Sequence, residues 1–429
     1  MPNDHLTHAM SRQPDPHIVV CDGTELALIE SHVRHALAGD APRPLFVVGP
    51  HVSPEQALSE VRRVGYPAGT GVLMRTSGST SGTGKIVALS WQSLFYSAQA
   101  THRALAGPGR WLADLPLFHI AGFQTIVRSV LAGLPALHMS LGELLAQGSL
   151  TALSQLGDPI YCSVVPTQLS RIVSSPELLE AARQLIFLVG GGPTSPLLLG
   201  RAHAAGLEVH TSYGMTETCG GCVYDGHPIG DARIRISDRN QISITGSMVA
   251  LGYLPAHEDG AMNDVGDGAS IVPASASAPQ IIPSLPPISQ HTHHTRDLGE
   301  FSSDGVLRIL GRIDDAITTG GLTIIPRIIE EVVEAQLAHT TVVVGIDDDE
   351  WGQSAIAIVD MPADRLDAET HYQVRSKVKS ILGAGWQPRK ILPLSALQCQ
   401  TWPQTPSGKI DRRTIAELTS LYFLHGNIT

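Results

Sequence analysis

From Ile18 onward, short apolar runs alternate with helix-like segments, and this alternation limits the fold more than any other feature of the chain. PLFVVG (44–49), GVLMRTSG (71–78) and QLIFLVGG (184–191) are apolar runs of strand length that end in glycine. EQALSEVRRVG (55–65) and PELLEAARQ (176–184) space their apolar residues by three and four, as one face of a helix does. A strand that is apolar on both faces must be covered on both, so the alternation predicts an α/β fold with buried, largely parallel sheet. The pattern runs to about residue 250.

Residues 255–295 read differently. They are rich in Pro, Ser, Ala and Gly with little periodicity, which predicts a long flexible surface loop. Beyond it come a hairpin-like FSSDGVLRILG (301–311), a turn at Gly320 and Gly321, and a helix over 326–338. Strands at 340–346 and 354–360 and a helix over 371–382 follow. This last block is a small α+β unit. A cut near 314 gives two domains, 1–313 and 314–429, with no internal repeat.

Hydrophobic residues make up 43% of the 429, enough for a sizeable core. The net charge of −11 lacks the basic footprint that a phosphate backbone requires, so nucleic acid is excluded as the main partner. The 5 cysteines are Cys21, Cys162, Cys219, Cys222 and Cys399, and their spacing gives no disulfide framework. The opening MPNDHLTHAM carries acid and histidine where a secretory leader carries a basic and then an apolar stretch. The greasiest stretch, 116–139, is broken by His119, Gln124, Arg128 and His138, too polar for a bilayer span. A cytoplasmic protein without membrane insertion is expected, with a homodimer left open.

The chemistry concentrates in five motifs. In RTSGSTSGTGKIV (75–87) a strand runs into Ser, Thr and Gly and then Lys85. Small residues let backbone N–H groups and hydroxyls close around phosphate oxygens, and the lysine adds a point charge. It is not a Walker A loop, because five residues separate Gly78 from Gly84 and Ile86 follows the lysine. TSYGMTET (211–218) offers Tyr213 as a planar ring for a base, Thr216 as a hydroxyl and Glu217 as a carboxylate for magnesium. TRDLGEF (295–301) offers Asp297 to a ribose diol, and GRIDDAITTGGLTIIP (311–326) offers Arg312, two aspartates and a Gly-Gly turn. TPSGKIDRR (405–413) presents Lys409 on a glycine-containing loop. Each alone is an ordinary turn; their order in one chain is not.

That order and wording resemble the adenylate-forming superfamily of acyl- and aryl-CoA synthetases, luciferases and adenylation domains. VGGGPTS (189–195) is similar to its adenine-side loop, and QISITGSMVALGY (241–253) to its stretch ending in Gly-Tyr. PLFHIAGFQTIVRSVLAG (116–133) and YGMTETCGGCVYDG (213–226) resemble the o-succinylbenzoate–CoA ligases of menaquinone synthesis most. The family's phosphate loop usually reads Thr-Ser-Gly-Thr-Thr-Gly-x-Pro-Lys. This one has an extra residue near Ser81 and Gly84 in place of the proline.

The resemblance implies a large N-terminal domain of layered α/β sheets and a small mobile C-terminal α+β domain. It implies ATP, Mg²⁺ and coenzyme A acting with a small carboxylic acid. Thr76, Ser77, Gly78, Ser79, Thr80, Gly82 and Lys85 would hold the β- and γ-phosphates, Glu217 the metal and Thr216 the α-phosphate. Tyr213, Gly214, Gly191, Gly192 and Pro193 would flank adenine, and Asp297 and Arg312 would hold the ribose. Lys409 would bridge the α-phosphate and the attacking carboxylate. Asp314 would be the hinge, with Gly320 and Gly321 on the CoA side. His119, Gln168, Ser212, Gly220 and Gly221 would line the acid pocket, with Arg128 and Arg171 as charge partners for a second carboxylate.

Other readings compete. His119 in an apolar run also fits a core histidine. CGGC (219–222) fits a redox or zinc site less well than a pocket wall, and HTHH (291–294) fits a solvated stretch better than a metal site. Two further functions stay open: a stand-alone adenylation enzyme that loads a carrier-protein thiol, and a nucleotide-binding relative without turnover.

Overall fold

The computed structural model describes residues 13–40, 43–76, 84–145, 155, 157–255, 269–285, 287, 289–405 and 408–424. Four sheets organise them. The first orders its strands His17–Val20, Leu45–Val48, Val72–Arg75, Ile86–Leu89 and Gly252–Tyr253. Its first three strands are parallel and the rest antiparallel. Strand alternation divides its side chains: Leu45 and Val47 enter the central core, whereas Phe46 and Val48 pack against Ala57 and Val61 of helix Pro54–Val64.

The second sheet runs Arg110–Leu112, Ile160–Val164, Ile186–Val189 and Glu208–Met215 in parallel, then Gly220–Tyr224 and His227–Pro228 antiparallel. Helices Trp91–Ala104 and Ile120–Leu131 contribute Leu94, Phe95, Phe123 and Val127 to the core that also holds Val47 of the first sheet and Leu188 of the second. Both helices are buried nearly all round, polar residues included.

The third sheet corrects the expectation for 255–295. Arg233–Ile236, Gln241–Gly246, Ser289–Phe301 and Ser270–Ser277 lie in that order, with Leu307–Arg312 also pairing with Ser289–Phe301, all antiparallel. Two segments predicted as loop are therefore strands; 256–268 lie outside the described residues. HTHH is also corrected: His291 and His293 are buried, and His294 is hydrogen-bonded to Ser243. Strand–helix alternation thus stops at Glu208–Met215, before residue 250.

The fourth sheet orders Leu322–Ile324, Ile317–Thr319, Gly352–Val359 and Thr341–Asp348, with Lys390–Pro393 pairing with Gly352–Val359. Val343, Ala355 and Ala357 face Ile329 and Val333 of helix Pro326–Leu337 and Val374 and Val378 of helix Ala368–Leu382. Val342, Val344, Ile356 and Ile358 face Ile415 of helix Arg412–Leu424. The buried residues of both these cores begin at Ile317. No described helix is long and apolar enough to cross a membrane.

Candidate active site

Lys409 sits in a tight turn. Thr405 N donates to its carbonyl at 2.8 Å, and a bridge joins Gln404 to Ile410. The turn docks on the second sheet's helices, where Thr167 Oγ1 donates to the Gly408 carbonyl at 2.8 Å. The lysine side chain passes over Gly191, where a Cβ would stand 3.0 Å from Lys409 Cε. Gly191 also has φ +78°, a left-handed conformation that favours glycine. Burial, and then the charge of Arg312, lower the Lys409 pKa.

Arg312 and Asp297 face each other in register across the strand pair Ser289–Phe301 and Leu307–Arg312. Arg312 Nη1 donates to Asp297 Oδ1 at 2.9 Å, and the Tyr213 hydroxyl donates to Asp297 Oδ2 at 2.7 Å. Burial and then the Asp297 charge push the Tyr213 phenol well above its ordinary pKa. Burial alone would lower the pKa of Arg312, but Asp297 and Asp314 more than offset it and the net shift is upward. Arg312 Nη2 reaches Asp314 Oδ2 at 2.9 Å, so the ribose pair predicted from sequence is joined to the predicted hinge.

A second cluster lies around Glu217. The residue follows strand Glu208–Met215 in the short turn Thr216–Thr218 and is 8% exposed. The Tyr253 hydroxyl donates to Glu217 Oε1 at 2.7 Å, and Lys85 Nζ stands 5.1 Å from the Tyr253 ring centroid. The phosphate-loop lysine and the candidate metal carboxylate are thereby tied to one tyrosine. No group of three or more His, Cys, Asp or Glu able to hold a metal occurs among the described residues. A cation at Glu217 would take most of its ligands from phosphate and water, which is the habit of magnesium.

Ser77, Gly78, Ser79, Thr80 and Gly82 lie outside the described residues. The two ends of their loop meet: Thr76 N donates to the Lys85 carbonyl at 2.9 Å, and Lys85 N to Thr76 Oγ1 at 3.1 Å. A Cβ on Gly84 would overlap the Thr76 carbonyl, which explains why proline is absent there.

His119 is the N-cap residue of helix Ile120–Leu131. Its Nε2 is buried without a hydrogen-bond partner among the described residues. Burial, then Lys409, lowers its pKa to about 4, so the ring is neutral at neutral pH. Gln168 Oε1 accepts from Val165 N at 3.0 Å and caps its own helix. Gly214 packs so closely on Gly220 that a Cβ would overlap the Gly220 carbonyl, and one on Gly221 would strike Ser212 Oγ. Behind this turn Arg128 is 2% exposed, with Nη2 3.8 Å from the Cβ position of Gly220. It donates to Tyr224 Oη at 3.4 Å and lies 4.4 Å from the Trp111 ring centroid. Among the described residues no carboxylate is among the charges acting on it, and burial lowers its pKa. Arg171 is exposed instead. Cys219 and Cys222 are buried thiols with pKa values raised by burial, which suits wall rather than redox chemistry. Gly320 and Gly321 form the hairpin between Ile317–Thr319 and Leu322–Ile324, with Gly320 packed on Trp351 and Gly321 open.

Two participants escaped sequence reasoning: Tyr253, bonded to Glu217, and Arg296, paired with Asp314. Tyr253 was visible only as the end of a Gly-Tyr stretch. Arg296 was visible only as a cation beside Asp297.

A family model described as AMP-binding enzyme matches residues 47–260. The probable 2-succinylbenzoate–CoA ligase of Mycobacterium tuberculosis is 33% identical over 400 residues, covering 92% of this chain and 95% of that one. The 2-succinylbenzoate–CoA ligase of Listeria monocytogenes is 28% identical, covering 81% and 70%. Among solved structures, o-succinylbenzoate CoA synthetase from Bacillus subtilis in complex with the acyl-adenylate intermediate OSB-AMP aligns with TM-score 0.61 and 22% identity, over 93% of this chain and 82% of that one. The same enzyme with ATP and magnesium ion gives 0.63 and 20%, over 94% and 96%. The chain belongs to the 2-succinylbenzoate–CoA ligase family of AMP-binding enzymes.

Proposed function

We propose that this chain is an ATP-dependent, AMP-forming ligase that converts 2-succinylbenzoate and coenzyme A into 2-succinylbenzoyl-CoA, a step of menaquinone biosynthesis. The observation that carries this reading is the position of Lys409. A lysine from the C-terminal unit lies over Gly191, and its charge is felt at Arg312 and His119. That is where a cation must stand to neutralise a carboxylate attacking an α-phosphate.

In the first half-reaction the substrate carboxylate oxygen bonds to the α-phosphorus and the bond to pyrophosphate breaks, giving the acyl-adenylate. The thiol of coenzyme A then bonds to the acyl carbon and AMP leaves. Thr76, Ser77, Ser79, Thr80 and Lys85 hold the β- and γ-phosphates, Thr216 the α-phosphate, and Asp297 and Arg312 the ribose. Adenine lies between Tyr213 and the loop of Gly191, Gly192 and Pro193. Glu217, fixed by Tyr253, would hold Mg²⁺, which supplies charge neutralisation of the triphosphate. The rate gain of such a site is positional and electrostatic.

The acid enters beside neutral His119, whose unpartnered Nε2 is free to meet it. Its second carboxylate needs a buried positive charge, and Arg128 behind Gly220 supplies one with no competing acid among the described residues. Residues 314–429 form a mobile domain that turns about Asp314, withdrawing Lys409 and bringing Gly320 and Gly321 to the thiol.

Pyrophosphate release with ATP and Mg²⁺ over a panel of aryl and acyl acids, with and without CoA, tests the reading. Release selective for 2-succinylbenzoate with CoA-dependent AMP formation supports it. Selectivity for another acid overturns the substrate, and a requirement for a carrier protein overturns the acceptor.

A further inference from the structure

The hinge aspartate is held by two cations from the third sheet. Asp314 Oδ2 accepts from Arg312 Nη2 at 2.9 Å, and Asp314 Oδ1 is ion-paired with Arg296 Nη2. Arg296 precedes Asp297 on strand Ser289–Phe301, so the strand that carries the ribose acid also carries the hinge's second partner. The pair is only partly exposed, at 22% and 29% for the two side chains. Tyr213, Asp297, Arg312, Asp314 and Arg296 therefore form one continuous network from the adenine side to the hinge.

Farther on, the charges belong to the small unit. Asp315 feels the charge of Arg412, whose Nη2 donates to both Glu330 oxygens at 2.7 Å. Asp314 is thus gripped by the third sheet, while Asp315 feels the charges of both Arg412 and Arg312. Lys409, three residues before Arg412, is at the same time seated over Gly191. A rotation about 313–315 that lifts Lys409 away must change the Asp314 backbone while Arg296 stays fixed to its strand.

We propose that Arg296 is a positioning residue that latches Asp314 in the adenylate-forming arrangement and releases it for the thioester step. The proposal rests on the hinge role given to Asp314 above. Arg296 touches neither reacting atom. It acts on how the enzyme divides its time between the two half-reactions, and the shared guanidinium of Arg312 couples that division to nucleotide at Asp297.

The test uses the full-length enzyme and measures three quantities: pyrophosphate formation in a single turnover, thioester formation from isolated acyl-adenylate, and acylation of Lys409 by an activated ester, read by peptide mass spectrometry. Arg296→Gln should shift the ratio of the two half-reactions toward the thioester by about fivefold, the size of one partly exposed ion pair. Lys409 should acylate faster by a similar factor. Arg296→Lys should restore most of both. Asp314→Asn removes the same contact from the other side and should shift the ratio the same way, with the double variant no worse than the single ones. An unchanged ratio and unchanged Lys409 acylation in both variants overturn the latch. Asp314→Pro separates the two ideas: if it blocks only the thioester step while Arg296→Gln changes nothing, the hinge stands and the latch falls. If Asp314→Pro depresses both steps equally, the hinge reading itself falls.

Discussion

Gly191→Ala tests the placement of Lys409 without touching the lysine. The added methyl would stand 3.0 Å from Lys409 Cε, 3.6 Å from Val165 Cγ1 and 3.7 Å from Lys409 Nζ. Carbon atoms at rest sit roughly 3.5–4.0 Å apart, so Cε must retreat by about 0.5–1 Å. Holding a non-glycine residue at φ +78° adds about 1–2 kcal/mol of strain, offset by about 0.4–1 kcal/mol from a stiffer unfolded chain. The net loss of global stability is therefore small, between about 0 and about 1.6 kcal/mol. The kinetic loss should be larger, because a displacement of about 1 Å at a charge-bearing group can cost on the order of a hundredfold. Adenylation, measured as the single-turnover pyrophosphate burst, should fall about 10- to 100-fold. Thioester formation from isolated acyl-adenylate, for which Lys409 is withdrawn, should fall by less than about threefold. A uniform loss in both half-reactions would show that the methyl perturbs nucleotide binding rather than the lysine. No loss in either would refute the contact.

Further outcomes can be checked alongside it. Asp297→Ala removes the acceptor of two hydrogen bonds and of the ribose diol, and should raise the KM for ATP by about 10- to 100-fold, from about 1.5–3 kcal/mol for a charged hydrogen bond. An unchanged KM would remove Asp297 from the ribose. Arg128→Met should raise the KM for 2-succinylbenzoate by about tenfold or more while leaving its analogue without the ring carboxylate unaffected; equal effects on both acids would make Arg128 merely structural. His102 and His119 both have pKa values lowered to about 4, in each case by burial first, then by Arg128 and Lys409 respectively. Between pH 6.5 and 4 the unfolded chain binds the extra protons, so stability is full above 6.5 and declines as pH falls, by at most about 1.4 kcal/mol per pH unit for each ring. Urea unfolding at pH 7.5 and 5.5 should show that drop flattened in His102→Gln, and an equal drop in both proteins would contradict it.

Much of the site was legible because the chemistry demands particular residue types at short spacing. Tyr213, Thr216 and Glu217 fall within one phrase, and Lys409 within another. Arg128 and Arg171 read alike in sequence, since each is one basic residue in an amphipathic stretch. Only packing separated them, burying the first behind Gly220 and leaving the second in water. Gln168 was legible as a polar residue in a conspicuous motif, but its amide oxygen is taken by the Val165 N–H. The strands at 270–277 and 289–301 were illegible for a different reason. Ser270–Ser277 buries little beyond Ile271, and the strand Ser289–Phe301 is built from His, Thr and charged residues. Neither has an apolar period. Ser289–Phe301 is a strand because three neighbours supply its ladder partners, and Ser270–Ser277 because Ser289–Phe301 supplies its own, a context that outweighs local preference.

The sequence alone determined the alternating α/β layers, because apolar runs and helix periodicity are local and each residue carries its own preference. It also determined which side chains could meet phosphate, ribose and a carboxylate, because hydroxyls, acids and lysines declare their chemistry wherever they stand. Tertiary structure alone decided that Lys409 lies over Gly191, that Tyr253 joins Lys85 to Glu217, and that Arg296 pairs with Asp314. Those partners are far apart in the chain or differ only in burial. Their distances and their dielectric surroundings exist only after the sheets have packed.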